Sequence, residues 1–181
     1  MNRIILAIAL ILVLAMQGYA QNRKTVETTT DVLMFVPGAV GAGVSLLKGD
    51  KEGFWQLAGS GATAVAASYL LKYTIKKERP DGSDKHSFPS NHTAVAFAGA
   101  AYLQRRYGWG YGVPAYAVGA YVAWGRVYSK RHDIWDVLAG TAIGVGSAYI
   151  YTRPFAHRHN VVIGPTVTPD GGPAIYFSMN F

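Results

Sequence analysis

The chain has 181 residues, the length of one domain, and half of these residues are hydrophobic while only 15% are charged. It contains no cysteine, which excludes disulfide bonds, thiol catalysis and cysteine-ligated zinc. The formal net charge of +7 would suit a nucleic-acid partner, but no nucleic-acid-binding motif accompanies it, so we expect none.

The N-terminus has the pattern of an export signal. Arg3 precedes an apolar run over 4–16, and the small residues Gly18 and Ala20 suit signal peptidase. Because the run is short for a membrane span, the pattern predicts a signal peptide over 1–20, with a retained N-terminal anchor as the alternative. We expect the rest of the chain to be periplasmic after cleavage, or held at the inner membrane with a periplasm-facing site.

Five uncharged segments rich in Ala and Gly follow a polar stretch at 21–31. They contain few alternating β-branched residues, which predicts helices rather than strands. Short turns alternate with longer charged loops, so we predict an all-α fold, an antiparallel bundle of five helices after the N-terminal signal or anchor helix, with its site at one end. The predicted helices lie at 32–47, 53–71, 87–104, 107–125 and 137–152.

The length and composition of these segments leave their relation to a membrane open. Each is about 16–19 residues long, near the lower limit for a membrane span. The small residues Gly140, Gly144 and Gly146 would permit close helix contact in lipid, and equally in a tightly packed water-soluble bundle.

The C-terminal segment has a different pattern. Hydrophobic residues at 161–163 and 174–181 flank a turn signal at 169–172, which predicts a short β-hairpin. Apolar and polar residues alternate in the last segment, so one face should dock on another surface. We therefore divide the chain into the signal, a helical domain over 21–156 and a hairpin tail over 157–181.

Basic residues gather in the two longer loops, next to histidines. This clustering predicts a small anionic substrate or an anionic headgroup rather than a uniformly basic surface. The eight basic residues of these loops are Lys72, Lys76, Lys77, Arg79, Lys85, Arg126, Lys130 and Arg131.

Two histidines are placed for phosphoryl transfer. His132 and Asp136 are four residues apart, so on a helix the carboxylate could accept the Nδ1 proton and leave Nε2 free to attack phosphorus. Taken alone, this spacing also suits an ordinary surface pair at a helix start. Ser90 or Asn91 could cap the helix that begins at His92, which would then protonate the leaving-group oxygen.

Three of the loop cations are candidates for binding a phosphoryl group. Negative charge collects on the peripheral oxygens during transfer, and fixed cations stabilise it. Lys72 could supply one such charge, and the guanidinium forks of Arg79 and Arg126 could bind two oxygens each. We interpret four of the other loop cations as solvated charges: Lys76, Lys77, Lys130 and Arg131.

These motifs resemble those of the type 2 phosphatidic acid phosphatase superfamily, which includes bacterial acid phosphatases and vanadium haloperoxidases. Residues 72–80 match its Lys-x6-Arg-Pro motif. Residues 89–92 match Pro-Ser-Gly-His except that Asn91 replaces Gly. Residues 125–136 match Ser-Arg-x5-His-x3-Asp except that Gly125 replaces Ser. The resemblance covers about residues 54–151.

The resemblance implies roles for the matching residues. His132 would form a phosphohistidine, Asp136 would orient it, and His92 would serve the leaving group and then activate water. The phosphate-binding residues that it implies are Lys72, Arg79, Ser90, Asn91 and Arg126. It implies no metal and no cofactor, and a zinc site at His157 and His159 would lack two further ligands.

The resulting prediction is a metal-independent phosphatase that hydrolyses a phosphomonoester or pyrophosphate outside the cytoplasm, and the substrate that we expect is a lipid. Family analogy leaves phosphatidic acid, phosphatidylglycerophosphate, undecaprenyl pyrophosphate and lipid A phosphates open. One alternative is a soluble periplasmic acid phosphatase that acts on small phosphoesters; the small size argues against a vanadium haloperoxidase. Another is a non-enzymatic envelope protein with a decayed site, based on Asn91, Gly125 and the hairpin. The sequence gives no oligomeric state.

Overall fold

The computed structural model describes residues 22–155, 161–168 and 172–179. The predicted signal peptide lies outside these residues. The helices of the described chain are α1 (Arg23–Leu33), α2 (Val36–Leu47), α3 (Lys51–Thr74), α4 (Asn91–Tyr107), α5 (Trp109–Tyr128) and α6 (Ile134–Tyr151). Strands β1 (Val161–Val167) and β2 (Pro173–Met179) pair antiparallel. Helices α2 to α6 correspond to the five predicted segments, which confirms the helical fold class.

Helix α4 lies at the centre of the bundle, where it contacts all the other helices of the described chain. Its buried side chains are mostly alanines, so neighbouring backbones approach closely. A Cβ atom at Gly140 of α6 would collide with the carbonyl oxygen of Ser90, and one at Gly144 with that of Ala94. Gly146 faces open space instead. Of the three glycines predicted at a helix contact, Gly140 and Gly144 therefore lie at one and Gly146 does not.

Helix α1 was not predicted, because its sequence is polar and rich in threonine. Asn22 caps it by accepting a hydrogen bond from the Lys24 amide at 2.9 Å. Val26 and Thr30, one turn apart, are buried on the side that packs against α5. Within the described chain, only the stretch Arg23–Leu47 is long and apolar enough to cross a membrane by length and composition.

Asp50 organises the end of the bundle opposite the longer loops. Its carboxylate caps α3 by accepting from the Gly53 amide at 2.9 Å. It also accepts from Arg106, through Nη2 at 2.6 Å and Nε at 2.8 Å, and from the Tyr107 hydroxyl at 2.7 Å. The hydrogen bonds from Arg106 are the main reason that the pKa of Asp50 falls from 3.8 to about 2.

We expect Asp50→Asn to lower the free energy of unfolding by about 3 kcal/mol, because it leaves the buried guanidinium of Arg106 without its counter-ion. The lowered pKa of Asp50 means that its contribution is complete above pH 4 and is lost as the pH falls towards 2. Denaturant unfolding in detergent, repeated across this pH range, measures both effects.

Glu52→Gln is the matched control for this variant. Glu52 is exposed and lies 3.9 Å from the same guanidinium, so its replacement should cost less than about 0.5 kcal/mol. Equal losses in the two variants, or an unchanged acid limb in Asp50→Asn, would contradict the assigned role of Asp50.

Candidate active site

The antiparallel bundle brings the predicted site residues to one end. Lys72 lies in the last turn of α3 and Arg126 in the last turn of α5, while His92 and Asp136 lie in the first turns of α4 and α6. His132 lies in the short loop between α5 and α6. Segments separated by up to 64 residues therefore meet where the longer loops cover the bundle.

His132 and Asp136 form a buried pair at the centre of this end. Their side chains are 2% and 0% exposed, and Nδ1 of His132 lies 3.5 Å from Oδ2 of Asp136. Helix α6 starts at Ile134 with Asp133 as its cap, so His132 lies just before the helix and Asp136 lies within it. At this distance Nδ1 of His132 makes no hydrogen bond within the described residues, and catalytic hydrogen bonds often tighten only when substrate binds. Within residues 22–155, Nε2 of His132 makes no hydrogen bond.

Three further groups hold the Asp136 carboxylate in place. The Ser87 hydroxyl and the Asp133 amide donate to Oδ2, the amide at 3.1 Å, and Lys77 Nζ donates to Oδ1 at 2.7 Å. Lys77 also lies 2.6 Å from Asp133, so its interpretation as a solvated loop charge is wrong. No sequence pattern indicated Ser87 or Lys77, because each meets Asp136 only through the fold.

The surroundings of His132 favour its uncharged form. Burial is the main cause that lowers its pKa below the usual 6.5, and the charges of Arg79, Lys72 and Arg126 act in the same direction. The Asp136 carboxylate opposes them. The three predicted cations therefore act on one imidazole, whose neutral state is the one that can attack as a nucleophile.

Lys72 and Arg79 also support the loop between α3 and α4. Lys72 Nζ donates to the carbonyl oxygens of His86 at 2.6 Å and Pro89 at 3.1 Å. Arg79 donates through Nε to Asp84 at 2.8 Å. Both side chains are partly buried, so these hydrogen bonds hold the two cations at the site in fixed positions.

Ser90 and Asn91 occupy the start of α4. Ser90 is the capping residue by position, but its side chain makes no capping bond and its Oγ lies 2.9 Å from Thr93 Oγ1. Its amide donates to the Asp136 carbonyl oxygen at 3.0 Å, which ties α4 to α6. The buried Oδ1 atom of Asn91 has no hydrogen-bond partner within the described residues.

Acidic residues of α1 pair with the remaining cations. Asp31 lies between Arg126 and His92, a contact that the motifs did not predict. Arg131 pairs with Glu27 and Asp81, so it too is no free loop charge. Lys76 and Lys130 are exposed, as interpreted. In the described part of the chain no cluster of His, Asp and Glu is arranged to hold a metal, and His157 and His159 lie outside it.

Comparison with known proteins identifies the family. Residues 53–159, more than half of the chain, match the model of the PAP2 superfamily. The chain belongs to the PAP2 superfamily. This finding confirms the resemblance to the type 2 phosphatidic acid phosphatases that the three motifs indicated.

Two curated relatives carry phosphatase names. A "Lipid A 4'-phosphatase" of Helicobacter pylori is 31% identical over 71% of this chain and 70% of its own. A "Lipid A 1-phosphatase" of Porphyromonas gingivalis is 41% identical over 41% of this chain, a match that spans only 17% of that longer relative. Both names agree with the predicted enzyme class, a lipid phosphate hydrolase.

A solved structure supports the fold of this PAP2 protein. The crystal structure of Aquifex aeolicus LpxE superposes with a TM-score of 0.53 over 67% of this chain and 84% of that chain. The two sequences are 22% identical, so the likeness concerns the helical architecture.

One departure from the PAP2 motifs has a structural reason. A Cβ atom at Gly125 would lie 2.5 Å from Cγ2 of Thr30 and 3.0 Å from Cγ1 of Val26. The serine of the family motif would therefore collide with α1. Gly125 is the residue that lets α1 pack beside Arg126. The glycine therefore has a structural role, which weakens its interpretation as a sign of a decayed active site.

Proposed function

We propose that this PAP2 protein removes phosphate from a phosphorylated lipid of the lipid A kind through a phosphohistidine intermediate, on the extracytoplasmic side of the envelope. The observation that carries the proposal is the buried position of His132, which lowers its pKa, together with an Nε2 atom that makes no hydrogen bond within residues 22–155. Three cations act on that imidazole, as phosphoryl transfer requires.

In the first step, His132 attacks the phosphorus atom. The Nε2 lone pair forms the new P–N bond while the P–O bond to the lipid breaks. His92, in its protonated form, gives its proton to the leaving oxygen. Burial and the charge of Arg126 lower the pKa of His92 to about 4, and the negative phosphate beside it opposes that shift. Asp136 accepts the Nδ1 proton of His132 as a hydrogen bond and stabilises the positive charge on the ring.

In the second step, water replaces the histidine. His92, now neutral, accepts a proton from the attacking water while its oxygen forms a bond to phosphorus and the P–N bond breaks. This step yields orthophosphate and regenerates the neutral imidazole of His132. His92 carries out the proton transfers of both steps. Lys72, Arg79 and Arg126 neutralise the peripheral oxygens in both steps. We assign the same task to the Asn91 amide and the Ser90 hydroxyl at the start of α4, because the Ser90 amide already donates to the Asp136 carbonyl oxygen.

The surface of the bundle supports a lipid substrate. Large apolar side chains are exposed on several helices, and Leu47 and Ile150 are 90% and 75% exposed. Exposed aromatic residues lie near both ends of α3, at Trp55 and Tyr73, about 27 Å apart along the helix axis. This spacing approaches the thickness of the hydrocarbon core of a bilayer, whose two interfaces favour aromatic side chains. We propose that this surface contacts lipid.

The first test is the substrate profile of the purified protein in EDTA. We expect phosphate release from lipid A bearing 1- and 4′-phosphates, with kcat/KM at least about 100-fold above that for a soluble aryl phosphate, because remote binding energy is available only from the lipid. Phosphatidic acid and undecaprenyl pyrophosphate serve as competing lipid substrates.

Other profiles would lead to other conclusions. Preference for the soluble ester would favour an acid phosphatase of the periplasm and would contradict the lipid proposal. No release from any substrate by well-folded protein would favour an envelope protein with a decayed site. In that case, the β1–β2 tail becomes the segment to test for docking.

A further inference from the structure

Asp31 places a carboxylate oxygen between two of the groups that the mechanism needs. Its Oδ1 atom accepts a hydrogen bond from Arg126 Nη1 at 2.6 Å and lies 2.9 Å from His92 Nε2. Arg126 is only 3% exposed, and its buried Nε has no partner in the described part of the chain. The Asp31 side chain itself is 48% exposed.

A carboxylate in this position resembles a phosphoryl oxygen chemically. Both are anionic acceptors of hydrogen bonds from guanidinium groups and imidazole N–H groups. A phosphate that binds Arg126 and presents its leaving oxygen to His92 needs the same donors. It would also be repelled by the carboxylate so close by. Phosphate and Asp31 therefore compete for one place.

The packing of α1 against α5 holds Asp31 in this position. Val26 and Thr30 are buried against Gly125, whose missing side chain is what allows the contact. One turn before Asp31, Glu27 accepts a hydrogen bond from Arg131 Nε at 2.7 Å. Two acidic residues of α1 thus pair with Arg126 in the last turn of α5 and with Arg131 in the loop that follows.

We propose that Asp31 is a specificity-determining residue that keeps phosphates without a lipid tail out of the site. A phosphate enters only by displacing Asp31 from Arg126 and His92, and the half-exposed carboxylate then turns into water. A lipid supplies the energy for this exchange through apolar contacts outside the site, whereas a small phosphate has none to supply. The preference for lipids rests on the proposed function, but the competition for the anion site does not.

The test measures binding of orthophosphate to wild type, Asp31→Asn and the control Glu27→Gln. Binding is followed by the rise in Tm with phosphate concentration, a readout that needs no turnover. We expect Asp31→Asn to bind orthophosphate roughly tenfold more tightly, because a carboxylate in contact with Arg126 and His92 no longer competes with it. Glu27→Gln should stay within about twofold of wild type, since it changes the other ion pair.

The same variants are then compared in turnover. For Asp31→Asn, the ratio of kcat/KM for the lipid to that for a soluble aryl phosphate should fall roughly tenfold. Unchanged or weaker phosphate binding in Asp31→Asn would overturn the proposal and leave Asp31 as an anchor of α1. Asp31→Ser gives the same expected results and replaces Asp31→Asn if that variant does not fold.

The two proposals fail in different ways. If wild type hydrolyses no lipid phosphate while Asp31→Asn binds orthophosphate more tightly, the proposed function fails and the competition by Asp31 stands. If wild type hydrolyses the lipid but the variant shows no gain in phosphate binding, the proposed function stands and the role of Asp31 is refuted.

Discussion

His132→Ala should reduce phosphate release from the lipid by at least about 10⁴-fold, because it removes the atom that forms the P–N bond. Among the described residues, His132 is the one imidazole that pairs with the Asp136 carboxylate. Release is measured in EDTA. With radiolabelled substrate, wild type should also accumulate a protein-bound phosphate that is stable in alkali and labile in acid, as expected of phosphohistidine.

His86→Ala is the matched control. His86 lies in the loop before α4, its side chain is 44% exposed, and Lys72 contacts only its backbone carbonyl oxygen. Its replacement should change kcat less than about threefold. Substantial activity in His132→Ala with intact folding would exclude the histidine mechanism, as would a labelled intermediate that survives acid.

Asp136→Asn should lower kcat by about 10³-fold and change KM much less, because the neutral amide no longer fixes the His132 tautomer or stabilises its charge. The substitution keeps the size of the side chain. It removes one of the two ionic partners of Lys77, whose Nζ lies 2.7 Å from Oδ1 of Asp136. Steady-state kinetics on the lipid, together with thermal unfolding, separate the catalytic loss from a loss of folded protein.

Asp133→Asn is the control that tests whether the loss of any carboxylate near His132 has the same effect as the loss of Asp136. Asp133 also pairs with Lys77, but its side chain is 37% exposed and it caps α6 through Oδ1. Asparagine caps helices about as well as aspartate, so kcat should fall less than about tenfold. If both variants lose activity equally, the pairing of Asp136 with His132 is not the source of the effect.

Local patterns were enough to predict five of the helices and the family. Composition rich in Ala and Gly predicted helices α2 to α6. The spacings Lys72-x6-Arg79 and His132-x3-Asp136 indicated phosphate chemistry, because these residue types at these distances in the sequence match one family. That family is confirmed by the match over 53–159. The individual roles of the site residues stay predictions that the variants above test.

Partners that meet across long stretches of chain could not be predicted. Ser87 and Lys77 reach Asp136 over 49 and 59 residues, and Asp31 reaches Arg126 over 95. Helix α1 was missed because its hydrophobic face consists of little more than Val26 and Thr30. Two such residues give no clear hydrophobic periodicity in the sequence. Their burial depends on the surface of α5, which the sequence of α1 does not contain.

The sequence by itself determined the family, the helical class and which residues are candidates for phosphate chemistry, because these depend on residue type and on spacing within single segments. Only the tertiary structure decided which of the loop cations are paired, that Ser87 and Lys77 hold Asp136, and that Asp31 lies between Arg126 and His92. Such contacts depend on how closely helices approach. Here Gly125, Gly140 and Gly144 set that approach by the absence of a side chain, and the consequence appears only once the helices are packed.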